Sequence, residues 1–251
     1  MIQFLPLKGI PEITPGSDLA GALLAALDRD GLVLQPGDIL VVTQKIVSKA
    51  EGRFVNLADI HPGQHARQLA EMTKKDPRLV ELVLSESSAV VRSVPHVLIT
   101  RHRLGHVMAN AGIDQSNIGP GGAERVLLLP VDPDRSAERL ASEIEARRAI
   151  RLPVVISDSF GRPWRQGVVG VALGVAGLPA LADQRGGVDR DGRRLEVTQV
   201  ALGDIIASAA GLVSGEGAES IPAVLLRGFA APGAPRPATD LVRPIDQDLF
   251  P

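Results

Sequence analysis

The chain has 251 residues, 45% of them hydrophobic, and a formal net charge of -2; it can bury a substantial core as one large domain or two small ones, and it carries no overall field for nucleic acid or an anionic membrane. The absence of cysteine removes disulfides, thiolate metal sites and a cysteine nucleophile, and an aromatic content of 2% with one tryptophan and no tyrosine leaves little for stacking single-stranded bases. The opening MIQFLPLKGIPEI is too short and too broken by proline for a signal peptide, and no run approaches the ~20 apolar residues of a membrane span, so a cytoplasmic protein without nucleic-acid or membrane partners is expected.

Ser17 is expected to cap an amphipathic helix carrying Leu19, Ala20, Leu23, Leu24 and Leu27, with Gly31 ending it. Pro36-Gly37 turns the chain into DILVVT (Asp38 to Thr43), an apolar run of strand length, and KIVSKAEGR reads as its continuation. Helices are predicted over 65–75 and 77–84, the second opening with Pro77, whose missing N–H falls in a first turn. Val94 to Thr100 and His106 to Ala109 flank Arg101 to Gly105 as a hairpin leading to NAGIDQSN (Asn110 to Asn117). A turn at Pro120-Gly121-Gly122 precedes a short VLLLP strand, and Ser136 to Ala149 reads as a helix with a solvated face of Glu138, Arg139, Glu143, Glu145, Arg147 and Arg148.

PVVISD is the next buried strand. After it, GVVGVALGVAG repeats glycine at 167, 170, 174 and 177, which permits close backbone approach of another strand or of a ligand, core packing being the favoured reading. No Gly-Lys-Ser/Thr follows, so this is not a P-loop. LEVTQV reads as a strand, Asp204 to Val213 as a helix, SGEGAES (Ser214 to Ser220) as a glycine loop, and PAVLLRG as another buried strand. From Ala230 the chain is proline-rich and expected to lie along the surface. Neither an internal repeat nor a linker divides residues 1–251, which form one unit with 230–251 as its tail.

The most informative stretch is ISDSFGRPWRQGVVG, Ile156 to Gly170. Polar residues just past the C-terminal end of a buried strand are where ligands meet α/β and α+β folds. Asp158 and Ser159 offer hard oxygens to Mg²⁺ or Mn²⁺, and Arg162 and Arg165 could hold a phosphate or carboxylate; the plainer alternative is an acid that caps a turn. Asp114, Asp158 and Glu216 all lie in glycine, asparagine or serine context and are free to converge on a metal. Glu216 also follows a helix C-terminus, where a cation is favoured, among glycines that can expose backbone N–H groups to a phosphate. Continued as a strand, Lys45, Val47 and Lys49 would share one face. Two adjacent ammonium groups ask either for an anion such as a nucleotide triphosphate between them or for open solvent at a strand end. The five histidines (61, 65, 96, 102 and 106) show no zinc spacing and fall in regions of ordinary surface character, His102 and His106 being able to pair across the hairpin in a structural role, and Ser85, Ser87 and Ser88 lack a nucleophile-elbow pattern.

Taken in order, IPEI, DILVVTQKIVSKAEGR, NAGIDQSN, ISDSFGRPWRQGVVGVALG and SGEGAESIPAVLLRG resemble the coenzyme F420:L-glutamate ligase family over about residues 5 to 230. The resemblance implies an α+β fold with mixed or antiparallel sheets and flanking helices, two interleaved lobes and an intertwined homodimer. It implies GTP-dependent amide synthesis: the terminal carboxylate of F420-0 is phosphorylated to an acyl phosphate, and the amino group of L-glutamate displaces phosphate, giving F420-1 and then F420-2. Two divalent ions, Mg²⁺ or Mn²⁺, and K⁺ are the implied cofactors. Asp114 and Asp158 would hold one metal, and Ser159 with Glu216 a second, with Asp114, Asp158, Glu216 and Lys49 as the catalytic group. Nucleotide contacts would come from Ile10, Pro11, Glu12 and Ile13, from Gln44, Lys45 and Lys49, from Asn117, and from Ser214, Gly215, Glu216, Gly217, Ala218, Glu219, Ser220 and Ile221.

Two positions depart from the family pattern: Ser159 stands where threonine is common, and Gln44 with Lys45 replaces a small hydroxyl pair. The resemblance also implies a stand-alone ligase, without the nitroreductase-like extension of some bacterial members. The competing readings are a related amide ligase acting on another carboxylate, and a non-catalytic nucleotide-binding homologue, against which the joint presence of Asp114, Asp158, Glu216 and Lys49 speaks.

Overall fold

The two most apolar strand-length runs, ILVVT and AVLLR, pair in the middle of a five-stranded sheet whose two faces are both covered. In this computed structural model, which describes residues 1–119, 122 and 124–248, the chain runs β1 (Gln3–Pro6), α1 (Leu19–Arg29), β2 (Ile39–Thr43), α2 (Gln44–Ala50) and β3 (Phe54–Asn56). There follow α3 (Gln64–Thr73), α4 (Pro77–Ser85), β4 (Ser87–Val94), β5 (Val97–His102), β6 (Val107–Ala109) and β7 (Arg125–Leu127). The remainder is α5 (Pro133–Arg148), β8 (Val154–Arg162), β9 (Arg165–Ala176), β10 (Leu181–Asp183), β11 (Gln199–Ala201), α6 (Leu202–Ser214) and β12 (Ala223–Arg227).

The sheet order is β1-β12-β2-β8-β9. Only β2 and β8 run parallel; the other neighbours are antiparallel. Alternate residues of each central strand feed two cores. Leu40, Val42, Val154, Ile156 and Leu225 pack against α1 and α5 through Leu23, Leu27, Leu140 and Ile144. Ile39, Val41, Val155, Val224 and Leu226 pack against α6 through Leu202, Ile206 and Ala210. Burial on both faces explains why these strands read as unbroken apolar runs. A third core gathers Leu57, Leu69, Val80, Val83, Leu98 and Val126 from α3, α4, β5, β7 and the turn after β3. The mixture of several sheets with flanking helices is the expected α+β class.

Several local expectations change. KIVSKA is helical, not a continuation of β2: as α2 it buries Ile46 and Val47, and the Ser48 hydroxyl donates to Gln44 Oε1 four residues back at 2.9 Å. A short apolar run cannot separate these readings by periodicity. Asp18, not Ser17, caps α1, accepting from Gly21 N, while Ser17 Oγ accepts from Thr14 N at 2.9 Å. PVVISD does not end at Asp158; β8 runs to Arg162, paired with β9. LEVTQV is a strand only over Gln199–Ala201. Strands β1, β3, β4, β9 and β10 lie outside the expected elements, β4 being a bulged partner of β5 beside the expected β5–β6 hairpin. The expected turn at Pro120-Gly121-Gly122 falls mostly outside the described residues. The proline-rich segment is tied down more firmly than a surface tail: Ala238 is fully buried, and the Ala238 and Thr239 N–H groups donate to the Asp134 carboxylate at 2.8 and 3.2 Å.

Of the glycine run in β9, Gly170 and Gly174 are where helices press on the strand. A Cβ at Gly174 would lie 2.2 Å from the Pro133 carbonyl oxygen of α5, and one at Gly170 would lie 2.5 Å from the Ala207 carbonyl oxygen of α6. Backbone cannot yield as a flexible side chain does, so Gly174→Ala is expected to destabilise the fold by about 1–3 kcal/mol through overpacking. Urea unfolding checks this: an unchanged midpoint would mean that α5 moves away at little cost.

Candidate active site

Strand β2 ends at Thr43, opposite Ser157, so the edge of β8 beyond that point faces open space rather than another strand. A cleft of about 720 Å³ occupies the gap. The turn 10–13, the first turns of α2, the loop after β6 and the loop 214–221 surround it. Every site residue that the family resemblance implies lines this one cleft: 10–13, Gln44, Lys45, Lys49, Asp114, Asn117, Asp158, Ser159 and 214–221.

Helix α2 brings its lysines to the same side by i,i+4 spacing rather than by strand alternation. Lys45 Nζ lies 3.3 Å from Asp114 Oδ1 and donates to the Ser116 carbonyl at 3.0 Å. Lys49 does not end in solvent; only 5% of the residue is exposed, and its ammonium meets Glu12 Oε1 at 2.7 Å. Gln44 Nε2 donates to the other Asp114 oxygen at 2.6 Å. Asp114 is in turn fixed by a backbone bridge to Leu127, whose N–H and carbonyl pair with its own at 2.9 Å. Across the cleft, the Ser159 hydroxyl donates to Glu216 Oε2 at 2.8 Å, Asn117 Nδ2 donates to the Gly217 carbonyl at 3.1 Å, and Gly217 N donates to Glu219 Oε2 at 2.8 Å.

Asp158 sits between these groups. Burial, then the charges of Asp114 and Glu216, push its carboxyl up to about 7. Burial raises Asp114 as well, opposed by Lys45 and Gln44. The three acids are therefore close enough to repel one another, and with the Ser159 hydroxyl they make an all-oxygen donor set, which fits a hard divalent cation. They are not closed on a single point: among the described residues no three acidic or histidine side chains are grouped tightly enough to hold one ion. Gln44, Lys45 and Ser159 occupy carboxylate oxygens that a metal would claim.

Sequence reasoning missed Thr43, Ser116, Gly119 and Ser157, and the wall formed by Gly170, Ala207 and Gly211. The wall was half legible: close approach in the glycine run was expected of a strand or a ligand, and it is helix α6 that makes it at Gly170. Arg162 and Arg165 do not line the cleft. They stand at the tip of the β8–β9 hairpin, Arg165 exposed and Arg162 donating to the Gln166 carbonyl at 3.2 Å, because β8 continues away from the acids instead of turning. His102 is likewise not a surface residue; it is buried, 3.6 Å from Glu86, which also pairs with Arg53 and Arg103.

The model of the F420-0:gamma-glutamyl ligase family matches residues 9–228, spanning the whole cleft. The chain belongs to that family. It is 44% identical to the coenzyme F420:L-glutamate ligase of Methanopyrus kandleri, over 99% of this chain and 96% of that protein. It is 43% identical to the Methanothermobacter thermautotrophicus protein of the same name, over 99% and 98%. With the Halobacterium salinarum protein of that name the identity is 45%, over 96% and 92%. Family membership covers the fold and the cleft together, since all five motifs lie at its rim.

Ionised Asp158 opposes folding of the ligand-free protein. Its folded pKa, about 7, lies above the ordinary 3.8, so the native state binds the extra proton, and stability falls as pH rises from 3.8 through about 7. Asp158→Asn is therefore expected to stabilise the metal-free protein by on the order of 2 kcal/mol at pH 8, the gain shrinking as pH drops toward 4. Thermal unfolding of both proteins across that range tests the sign; a gain that grows toward acid would mean that Asp158 is stabilised, not strained, by its surroundings.

Proposed function

We propose that the chain ligates L-glutamate to the terminal carboxylate of F420-0, giving F420-1 and then F420-2, with GTP as the phosphoryl donor. The reading rests on family membership together with one observation: five motifs, distant in sequence, bring five carboxylates (Glu12, Asp114, Asp158, Glu216 and Glu219) and two lysines into a single cleft.

In the proposed reaction the F420-0 carboxylate attacks the γ-phosphorus of GTP, and GDP leaves. The amine of glutamate then attacks the resulting acyl phosphate, loses a proton and expels phosphate, forming the amide. Bound Mg²⁺ or Mn²⁺ would neutralise charge on the transferring phosphoryl group. Asp114 and Asp158, with Ser159 and Glu216, would hold those ions by their oxygens. Lys49 and Lys45 supply point charges toward phosphate once their carboxylate partners are displaced. The backbone of Ser214 to Gly217 is exposed enough to approach phosphate oxygens, and Gly215 adopts φ +70°, open only to glycine at low cost.

Incubation with GTP, Mn²⁺, L-glutamate and F420-0 is expected to yield products heavier by one and then two glutamyl units in a mass spectrum; no mass gain would falsify the assignment. Asp114→Asn and Asp158→Asn are each expected to cut that rate by about a hundredfold or more, the scale on which loss of a charge-positioning group acts. The double variant should be hardly worse than either single one, as expected when two groups serve one ion. Fully multiplicative losses across Mn²⁺ concentrations would show that the two acids do not share a metal.

Lys49→Met is a separate test of the nucleotide. It should weaken GTP binding in calorimetry by about tenfold or more, the loss of one charge-assisted contact. Unchanged affinity would confine Lys49 to its pairing with Glu12.

A further inference from the structure

A second cavity, of about 480 Å³, lies beyond the acid cluster, between the β5–β6 hairpin, the β8–β9 ribbon, the start of α6 and the C-terminal segment. Its volume falls within the usual range for small-molecule sites. The register links it to the cleft: Val171 on its wall is the direct cross-strand partner of Asp158, so the two side chains share a face with Cβ atoms about 5 Å apart. Phe160, two residues beyond Asp158, also lines it, with the His106 ring edge-on at 6.1 Å between centroids. Burial pushes His106 down to about 4, so that ring is neutral near pH 7 and forms part of an aromatic wall.

The polar lining is mixed but leaves a cation to spare. Arg101 is paired with Asp248 at 3.2 Å, Arg103 with Glu86, and Asp204 accepts from Ala172 N at 2.9 Å. Arg243 lines the same cavity, is exposed, and makes no ion pair among the described residues. The C-terminal segment is held against the opening by Val242, which packs where a Cβ on Gly105 would lie, at 2.5 Å. An aromatic and aliphatic slot with an unspent guanidinium at its rim suits a flat, anionic organic molecule.

We propose that this cavity is the acceptor site, taking the body of F420-0 as a flat, anionic ligand with its terminal carboxylate directed past Val171 toward Asp158. The proposal rests on the functional reading above and adds to it where the acceptor lies. Arg243→Glu places a carboxylate where the ligand needs a cation, and Val107→Trp fills the slot from an exposed position; neither residue touches the acid cleft.

The experiment titrates F420-0 into parent and variants by its own fluorescence, with GTP·Mn²⁺ binding measured separately by calorimetry. Expected is a rise in the F420-0 Kd of about tenfold or more in both variants, with GTP·Mn²⁺ affinity and melting temperature unchanged. F420-0 binding that is unaltered in both variants, while the parent ligates glutamate, overturns the cavity assignment and leaves the ligase reading standing. A parent that neither binds F420-0 nor ligates overturns both.

Discussion

The parallel pairing of β2 with β8 stops at Thr43 and Ser157, while β8 continues to Arg162 on β9 alone. Where β2 stops, its chain rises into α2, so the edge of β8 is left without a partner and the first turn of α2 stands beside it. On the far side of β2, β12 begins at Ala223, and Thr43 N donates to the Pro222 carbonyl at 2.9 Å, which ties the end of the 214–221 loop to the same point. The end of one strand, the start of another and the middle of a third thus meet at one place. Strand ends concentrate backbone groups and loop side chains that the sheet does not consume, and sites in α/β sheets gather there for that reason.

That meeting also sets the electrostatics. Glu12, Asp114, Asp158, Glu216 and Glu219 face the cleft with only Lys45 and Lys49 among its lining cations. Each lysine is already matched, Lys49 with Glu12 and Lys45 with Asp114. Asp158 is left with like charges nearby, and burial first and those charges second raise its proton affinity. A polyanion entering alone would meet an acidic excess. A polyanion entering with divalent ions would relieve it, since the same cations satisfy the acids and the phosphates. A proton on Asp158 lessens the repulsion within the acid cluster of the ligand-free chain.

The central strands were legible because burial on both faces leaves an unbroken apolar run, and α3, α4 and α5 because of their residue pattern, with Pro77 at a first-turn position; α5 begins at Pro133, ahead of the expected Ser136. The failures have local causes. IVSKA is short enough to suit either period, and only packing of Ile46 and Val47 beneath the sheet decides for the helix. Strand β1 is invisible alone because its partner β12 lies near the other end of the chain, Gln3 opposite Arg227. At the site, residue types and motif context pointed to the carboxylates, but the partners they hold without ligand were not legible: neither Lys49–Glu12 nor Gln44–Asp114 follows from spacing. Arg162 and Arg165 misled because an arginine near an acid in sequence is carried away from it when the strand runs on.

Packing and chemistry meet at Gly170. The residue lines the cleft opposite Ser159 in the register, and on the same face α6 crosses close enough that a Cβ would lie 2.5 Å from the Ala207 carbonyl oxygen. Ser208 Oγ donates back to the Gly170 carbonyl at 2.6 Å, locking helix to strand. Helix α6 ends at Ser214, and Glu216 follows within two residues, bonded to Ser159 on the same strand pair. The distance between the Ser159 hydroxyl and the Glu216 carboxylate is therefore fixed by how near α6 can approach β9, and glycine at 170 sets that approach. Any larger side chain there would push against the helix whose end leads into Glu216, so this glycine shapes the wall of the cleft through packing alone.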